Sequence, residues 1–140
     1  MTCEWASLSK TISRVSLHTL TFLGPINSFD IGDEKKFIVI STLTSTTTLF
    51  DNSLGEVVAE YKGAHKSDQY HTSVRFSKDQ SYIVQASEDG KLVLYDIVTK
   101  QVLSTLRGHV RPVITVDRHP MEHGRYASGS ADGTIKIWAP

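Results

Sequence analysis

Short runs of apolar and β-branched residues, separated by turn-forming residues, recur along most of this 140-residue chain. The clearest stretch predicts strands over about Thr72–Phe76, Tyr82–Ala86, Lys91–Tyr95 and Val102–Leu106. The turn before the third of these strands contains Asp89-Gly90, and glycine accepts the positive φ that a tight hairpin requires. No long stretch has the 3.6-residue period of an amphipathic helix. The pattern therefore predicts an all-β chain.

The third of these predicted strands is apolar on both faces. Leu92 and Leu94 alternate with Val93 and Tyr95, whereas a strand that covers one core alternates apolar with polar residues. We expect this strand to lie in a sheet that packs between two other sheets.

The strand pattern repeats along the chain. Two segments of one unit have counterparts in the next unit. Gly63–His65 corresponds to Gly108-His109, and Ser87–Asp96 corresponds to Ser130–Trp138. The two histidines are 44 positions apart, and the aromatic residues that close the units are 43 apart. A more divergent unit ends at Phe50-Asp51, and Phe50 lies 45 positions before Tyr95. A period of 40–45 residues with Gly-His at one end and an aromatic residue at the other is typical of WD40 propeller blades.

We therefore predict a partial WD40 β-propeller of about three four-stranded antiparallel blades, the last blade lacking its outer strand. Residues 20–62 form a divergent blade with a preceding outer strand at Leu20–Gly24, residues 63–107 a blade, and residues 108–140 an incomplete blade. Residues 1–19 fit no blade and are interpreted as a disordered segment or a remnant. A closed propeller has 4–8 blades, so the chain is a fragment, a truncated gene product or a half-propeller that pairs with another copy. We favour a fragment or a truncation.

Some polar residues of the repeats fall where a WD40 blade carries its buried hydrogen-bond network. They are His109, Ser128, Asp132 and Trp138 in the last unit, and His65 and Asp89 in the middle unit. Serine, histidine and aspartate together could also suggest a hydrolase, but no Gly-x-Ser-x-Gly elbow is present and the spacing is that of the repeat. We therefore predict a structural network that pairs buried polar groups. No catalytic residue is assigned, and we expect a protein that is not an enzyme.

Composition limits the function classes. Lys and Arg number 15 and Asp and Glu number 15, so the net charge of zero argues against a dedicated nucleic-acid binder. The single cysteine, Cys3, excludes an internal disulfide framework. His119 and His123 are four positions apart, but Pro120 indicates a loop and no cysteine accompanies them, so we expect no metal and no cofactor. No run has the length of a membrane span, and we expect a cytoplasmic protein, with the nucleus as a further location.

The upstream part of the chain resembles one family of WD-repeat proteins. The segments that carry the resemblance are Leu23–Ser28, Thr42–Asp51, Gly55–Lys66 and Ser87–Lys91. They are similar to the later blades of the mitogen-activated protein kinase organiser family, over roughly Leu20–Tyr95. Members of that family form one full propeller, act as scaffolds for a kinase cascade and are found with the spliceosome. This chain lacks the earlier blades, and its last unit looks like an average WD40 repeat.

The resemblance implies a non-enzymatic protein–protein interaction scaffold that organises a mitogen-activated protein kinase cascade. The alternatives are a component of a pre-mRNA splicing assembly, or a truncated propeller fragment without independent function. The expected partners are other proteins, either kinase-cascade or spliceosomal components, rather than a membrane or a small-molecule substrate. Self-association to close the ring is a further expectation.

Partners of a propeller meet the loops between its strands. We expect these loops to present Tyr70, Glu88 and Arg111. Tyrosine and arginine are enriched at binding hot spots, which is the reason for singling out these positions.

Overall fold

The computed structural model describes residues 19–140, which form three antiparallel sheets. The first sheet contains β1 (Ile26–Ile31), β2 (Phe37–Thr42), β3 (Thr46–Asp51) and β4 (Glu56–Lys62). The second contains β5 (Val74–Phe76), β6 (Tyr82–Ala86), β7 (Lys91–Asp96) and β8 (Val102–Arg107). The third contains β9 (Val113–Arg118), β10 (Tyr126–Ser130) and β11 (Ile135–Trp138). The predicted N-terminal segment falls, apart from Thr19, outside the described residues.

Each sheet is a meander in which consecutive strands are neighbours, in the orders β1-β2-β3-β4, β5-β6-β7-β8 and β9-β10-β11. This confirms the predicted fold class of a partial propeller with a three-stranded last blade. The first and second sheets also share an irregularity in strand pairing. The register shifts at Leu49/Phe50 where β3 pairs with β4, and at Leu94/Tyr95 where β7 pairs with β8. A β-bulge of this kind increases the local twist of a strand.

The predicted outer strand at Leu20–Gly24 does not form. These residues are irregular, and the first strand of the chain's described part begins at Ile26. A strand requires a partner for its backbone groups, and the first sheet already has its four strands. In residues 19–140 no fourth strand pairs with β11, so the third sheet ends at that edge.

The sheets pack face to face around two apolar clusters. One cluster joins the first and second sheets and contains Val39, Leu49, Tyr61, Phe76 and Tyr95 among others. The other joins the second and third sheets and contains Val84, Leu92, Val113, Val116 and Tyr126. β7 contributes Val93 and Tyr95 to the first cluster and Leu92 to the second. The prediction of a strand buried on both faces is therefore confirmed.

Hydrogen bonds between the first strands of the three sheets fix the sheets relative to one another. The Ser28 hydroxyl accepts the backbone N–H of Val74 at 3.3 Å, and the Ser73 hydroxyl accepts that of Val116 at 2.7 Å. The Arg118 guanidinium then spans to the first sheet, 2.9 Å from the Asp30 carboxylate. These contacts connect β1, the start of β5 with the residue before it, and β9, which are the first strands of the three sheets.

We find no helix within residues 19–140 that is long and apolar enough to span a membrane.

Candidate protein-interaction surface

The third blade holds four of the predicted polar residues together. The Asp132 carboxylate lies 3.0 Å from His109 Nδ1, and Ser128 Oγ lies 2.8 Å from His109 Nε2. The indole N–H of Trp138 donates to the same Ser128 oxygen at 2.8 Å. The chain of contacts therefore runs from the β10–β11 turn, through the histidine in the β8–β9 loop, into the sheet.

The partners fix the roles of the His109 ring nitrogens. A carboxylate can only accept, so Nδ1 carries the proton that is donated to Asp132. In the neutral ring Nε2 then accepts the Ser128 O–H, and the serine oxygen accepts the Trp138 N–H. The Thr134 hydroxyl donates to Asp132 and holds the pKa of that carboxyl well below its usual value. The hydrogen bond from His109 lowers the same pKa to a smaller extent. Each buried polar group of this network has a partner, and the loop is fixed to the sheet.

The middle blade has a different network that also reaches the first blade. The Tyr95 hydroxyl lies 2.7 Å from His65 Nδ1, and His65 Nε2 lies 3.4 Å from Thr47 Oγ1 of β3. Thr47 in turn donates to Gln85 Oε1 at 2.7 Å. One set of donors is consistent with these contacts: Tyr95 donates to His65 Nδ1, His65 donates from Nε2 to Thr47, and Thr47 donates to Gln85. This tautomer is the opposite of that of His109.

Burial controls the protonation of the middle network. It lowers the pKa of His65 to about 4, although the nearby Asp89 carboxylate acts in the opposite direction. It also raises the pKa of Tyr95 to about 12. Both groups are therefore neutral near pH 7, which suits a hydrogen-bond chain without charge.

Asp89 does not take the part in the middle network that the sequence predicted. Its carboxylate lies 2.8 Å from Lys91 Nζ, and no hydrogen bond joins it to His65. The physical reason is that Tyr95 replaces the tryptophan of the third blade and its hydroxyl occupies His65 Nδ1, the nitrogen that binds aspartate there.

The arrangement offers little to a catalytic mechanism. Ser128 is buried and its hydroxyl is occupied by both His109 and Trp138, so this serine is not placed to act as a nucleophile. His119 Nδ1 accepts the backbone N–H groups of Met121 and Glu122 and thereby caps a turn. Among residues 19–140, no group of three or more His, Cys, Asp or Glu side chains could hold a metal ion.

The connections at one end of the sheets form a continuous surface, which we call the loop face. It consists of residues 43–45, 63–73, 87–90, 108–112 and 131–134. Neighbouring connections bond to each other. Ser67 N donates to Ser45 Oγ at 2.9 Å, Glu88 N to the Lys66 carbonyl at 2.8 Å, and Ala131 N to the Pro112 carbonyl at 2.9 Å.

The β6–β7 turn at the centre of the loop face contacts the loops on both sides. Glu88 Oε1 accepts the backbone N–H groups of Gln69 and Tyr70 at 2.6 and 2.7 Å, so this carboxylate holds the β4–β5 loop. Gly90, with a φ of +84°, lies against the other loop, since an added Cβ would come within 2.4 Å of the His109 carbonyl oxygen. Only glycine fits this turn without strain.

The loop face exposes three side chains suited to binding another protein. The Tyr70 ring is held by its backbone yet is 44% exposed. Val110 and Arg111 lie on the β8–β9 loop, both exposed, and Arg111 makes no ion pair with any residue in the range 19–140. Of the three predicted partner-binding residues, Tyr70 and Arg111 are therefore accessible. Glu88 serves mainly to position Tyr70.

Residues 55–96 and 100–139 match the family described as "WD domain, G-beta repeat". The chain belongs to the WD40 family. The first matched segment contains β4–β7 and the second contains β8–β11, so each combines the last strand of one sheet with the first three strands of the next. WD40 domains are in general protein-binding scaffolds rather than enzymes, which agrees with a rigid core that presents loops.

Individual relatives were also found. The WD repeat domain-containing protein 83 homolog of Dictyostelium discoideum is 35% identical over 114 residues, covering 81% of this chain and 34% of its own length. Human WD repeat domain-containing protein 83 is 32% identical over 114 residues, covering 81% and 35%. GID complex subunit 7 of Schizosaccharomyces pombe is 27% identical over 128 residues, covering 91% and 25%. This WD40 chain thus spans about a third or less of the length of these relatives.

Sequence reasoning missed the links between blades. Thr47 bonds to Gln85, 38 positions away in another sheet, and no spacing within one repeat identifies such a pair. The contact of Arg118 with Asp30 joins residues 88 positions apart. Val110 could have been identified from its place beside His109 in a predicted loop, where an apolar side chain has no core to enter.

Proposed function

We propose that this WD40 chain is a non-enzymatic scaffold that binds other proteins through its loop face and serves a mitogen-activated protein kinase cascade. The observation that carries the binding role is the exposure of Tyr70, Val110 and Arg111 on loops that are fixed from behind. The kinase-cascade role is supported by the resemblance of Leu20–Tyr95 to the organiser family.

The rigidity of the loop face favours binding. The β4–β5 loop is held by two hydrogen bonds to Glu88, and the β8–β9 loop by His109 and by the close approach of Gly90. Loops that are ordered before binding lose less conformational entropy when a partner docks. An exposed tyrosine ring and an exposed arginine guanidinium are the kinds of group that supply most of the binding energy at protein interfaces. Val110 adds exposed apolar area beside them.

The proposal predicts which substitutions abolish partner capture. The tagged chain, carrying either the wild-type sequence or Tyr70→Ala together with Arg111→Ala, is expressed in cells and its bound proteins are identified by mass spectrometry. The hydrogen bonds to Glu88 come from backbone groups, so the double variant keeps the loop in place. Val98→Ala is the matched control, because Val98 is exposed in the β7–β8 turn at the other end of the sheet.

Kinase-cascade components that copurify with the wild type and with Val98→Ala, but not with the double variant, would support the proposal. Spliceosomal proteins in the same pattern would favour the alternative role in pre-mRNA splicing, which rests on the same family resemblance. Equal recovery of all proteins by the three forms would show that the loop face is not the binding site.

A further inference from the structure

A cavity opens between the first and second sheets at the end opposite the loop face, and we call it the blade pocket. Its volume is about 230 Å³. Leu49 and Phe76, each 1% exposed, close its floor, and the half-buried Phe37 and Ile97 form its walls. Both sheets that enclose the pocket lie within residues 19–140, so its lining does not depend on what precedes or follows them.

Two exposed carboxylates from different blades lie at the mouth of the blade pocket. Glu34 belongs to the β1–β2 turn and Asp79 to the β5–β6 turn. Neither makes an ion pair with any of residues 19–140. Lys78, the neighbour of Asp79 in sequence, donates instead to the Met121 carbonyl of the third blade. The mouth therefore presents two carboxylates without a paired cation.

Hydrogen bonds hold Asp79 in position. Its Oδ1 accepts the hydroxyl of Ser77 at 2.7 Å and that of Ser81 at 2.8 Å. The hydrogen bond from Ser77 is the main cause of a lowered pKa of the Asp79 carboxyl, against the opposing effect of burial. The backbone N–H of Ile97 donates to the Ser81 carbonyl at 3.2 Å, so the wall and the mouth are also joined.

The Gln80 side chain fixes the two turns of the mouth relative to each other. It reaches from the second blade to the first, where its Oε1 lies so close to Gly32 that an added Cβ would overlap it. The pocket is therefore ordered before anything binds, and an ordered site loses less conformational entropy on binding.

We propose that the blade pocket receives the side chain of an arginine presented by a partner protein. Pockets for small molecules have volumes of about 300–1,000 Å³, so a cavity of about 230 Å³ suits a single side chain better than a drug-sized ligand. An apolar interior with carboxylates at the mouth matches a side chain that has an aliphatic stem and a cationic end. The pocket is separate from the loop face, so this proposal does not depend on that surface.

The lining favours arginine over lysine. The planar guanidinium stacks on aromatic rings and pairs with a carboxylate through two parallel hydrogen bonds, whereas an ammonium group is a compact, strongly hydrated charge. The Phe37 ring already attracts a cation, since Lys36 Nζ lies over it, 5.1 Å from its centre. Lys36 itself does not line the pocket, which leaves the interior free for the incoming side chain.

Nuclear magnetic resonance of the full 140-residue chain with labelled methyl groups tests the site. The probe is N-acetylarginine N′-methylamide, which carries one arginine side chain and no other charge. We expect it to shift the methyl signals of Leu49 and Ile97 with a dissociation constant on the order of 1 mM. The same compound with norleucine, which keeps an aliphatic stem but has no charge, should bind about 10-fold more weakly. The lysine compound should lie between the two.

Matched variants test the carboxylates. Glu34→Gln together with Asp79→Asn should weaken binding of the arginine compound by about 10-fold. Both positions are exposed, and asparagine keeps an oxygen for the two serine hydroxyls, so the circular dichroism spectrum should not change. Glu122→Gln removes an exposed carboxylate from the β9–β10 loop at the same end of the sheets, and it should bind as the wild type does.

Several results would overturn the proposal. One is the absence of methyl shifts at about ten times the expected dissociation constant. Others are equal binding of the norleucine compound, binding of the lysine compound as tight as that of arginine, or a double variant that binds as the wild type does. Nuclear Overhauser contacts between Ile97 and residues 1–18 would also overturn it, because the chain would then fill its own pocket.

Discussion

Removing the Ser128 hydroxyl should destabilise the third blade more than the small size of this group suggests. The side chain is 1% exposed, and its oxygen is shared by His109 Nε2 and Trp138 Nε1, each at 2.8 Å. Ser128→Ala deletes only one oxygen atom, but it leaves an acceptor and a donor without partners. Neither ring can turn to water without leaving the interface between loop and sheet.

The size of the effect follows from these two losses. A typical internal hydrogen bond contributes about 1 kcal/mol net, and a buried polar group left unpaired costs about 1–3 kcal/mol. We therefore expect the free energy of unfolding to fall by about 2–3 kcal/mol. At about 3 °C per kcal/mol for a domain of this size, the midpoint of thermal unfolding should fall by roughly 6–9 °C.

Urea unfolding followed by circular dichroism measures this change. Ser104→Ala is the matched control, because Ser104 is exposed on β8 and the same atom is removed there without loss of a buried partner. A second comparison combines Ser128→Ala with Trp138→Phe, which removes the indole donor. The double variant should be destabilised by less than the sum of the two single variants, since both delete the same contact.

A fall below about 0.5 kcal/mol for Ser128→Ala, or strict additivity with Trp138→Phe, would refute the reasoning. Either result would mean that the polar groups of the third blade find other partners and that the network does not lock the loop.

Three further outcomes are expected. The pKa of His65 is about 4 in the folded chain against 6.5 in the unfolded chain, so the unfolded chain binds a proton at His65 first as the pH falls. The free energy of unfolding should therefore fall by about 2–3 kcal/mol between pH 6.5 and 4. A His65→Gln variant should lose that part of the pH dependence in urea titrations. Gly90→Ala should lower the stability of the protein more than Gly133→Ala, as measured by calorimetry. Both turns have φ near +84°, but only a Cβ at Gly90 would meet the His109 carbonyl. Equal losses of stability would show that this close approach does not matter. Thr47→Val should lower stability by about 1–2 kcal/mol and speed hydrogen exchange in the first sheet, whereas unchanged exchange would show that the first two blades are held by apolar packing alone.

The blades of this chain could be predicted because each is a local unit. Strands such as Tyr82–Ala86 and Lys91–Asp96 are adjacent in sequence and joined by the Asp-Gly turn, so alternation and turn chemistry determine the hairpin. His109 and Ser128 belong to a single repeat in the same way, and the fold places them 2.8 Å apart. Leu20–Gly24 shows the limit of the approach, since its apolar residues satisfy a strand pattern but no strand among residues 19–140 pairs with it.

The contacts between blades could not be predicted in the same way. Asp30 and Arg118 are charged residues of separate strands, and nothing in either repeat indicates that the third blade reaches back to the first. The middle network also depends on context. Tyr95 takes the place of a tryptophan, and its hydroxyl displaces the aspartate from His65, so conservative replacement of one ring reassigns the roles of its neighbours.

The most direct test of the account is a hydrogen–deuterium exchange footprint of the chain bound to the partner that it captures. We predict slower exchange at residues 67–71, 87–90 and 109–112 of the loop face, with the turn that contains Val98 unchanged. Protection restricted to the outer strands β4 and β8, with the loop face exchanging as in the free chain, would contradict the assignment of this surface.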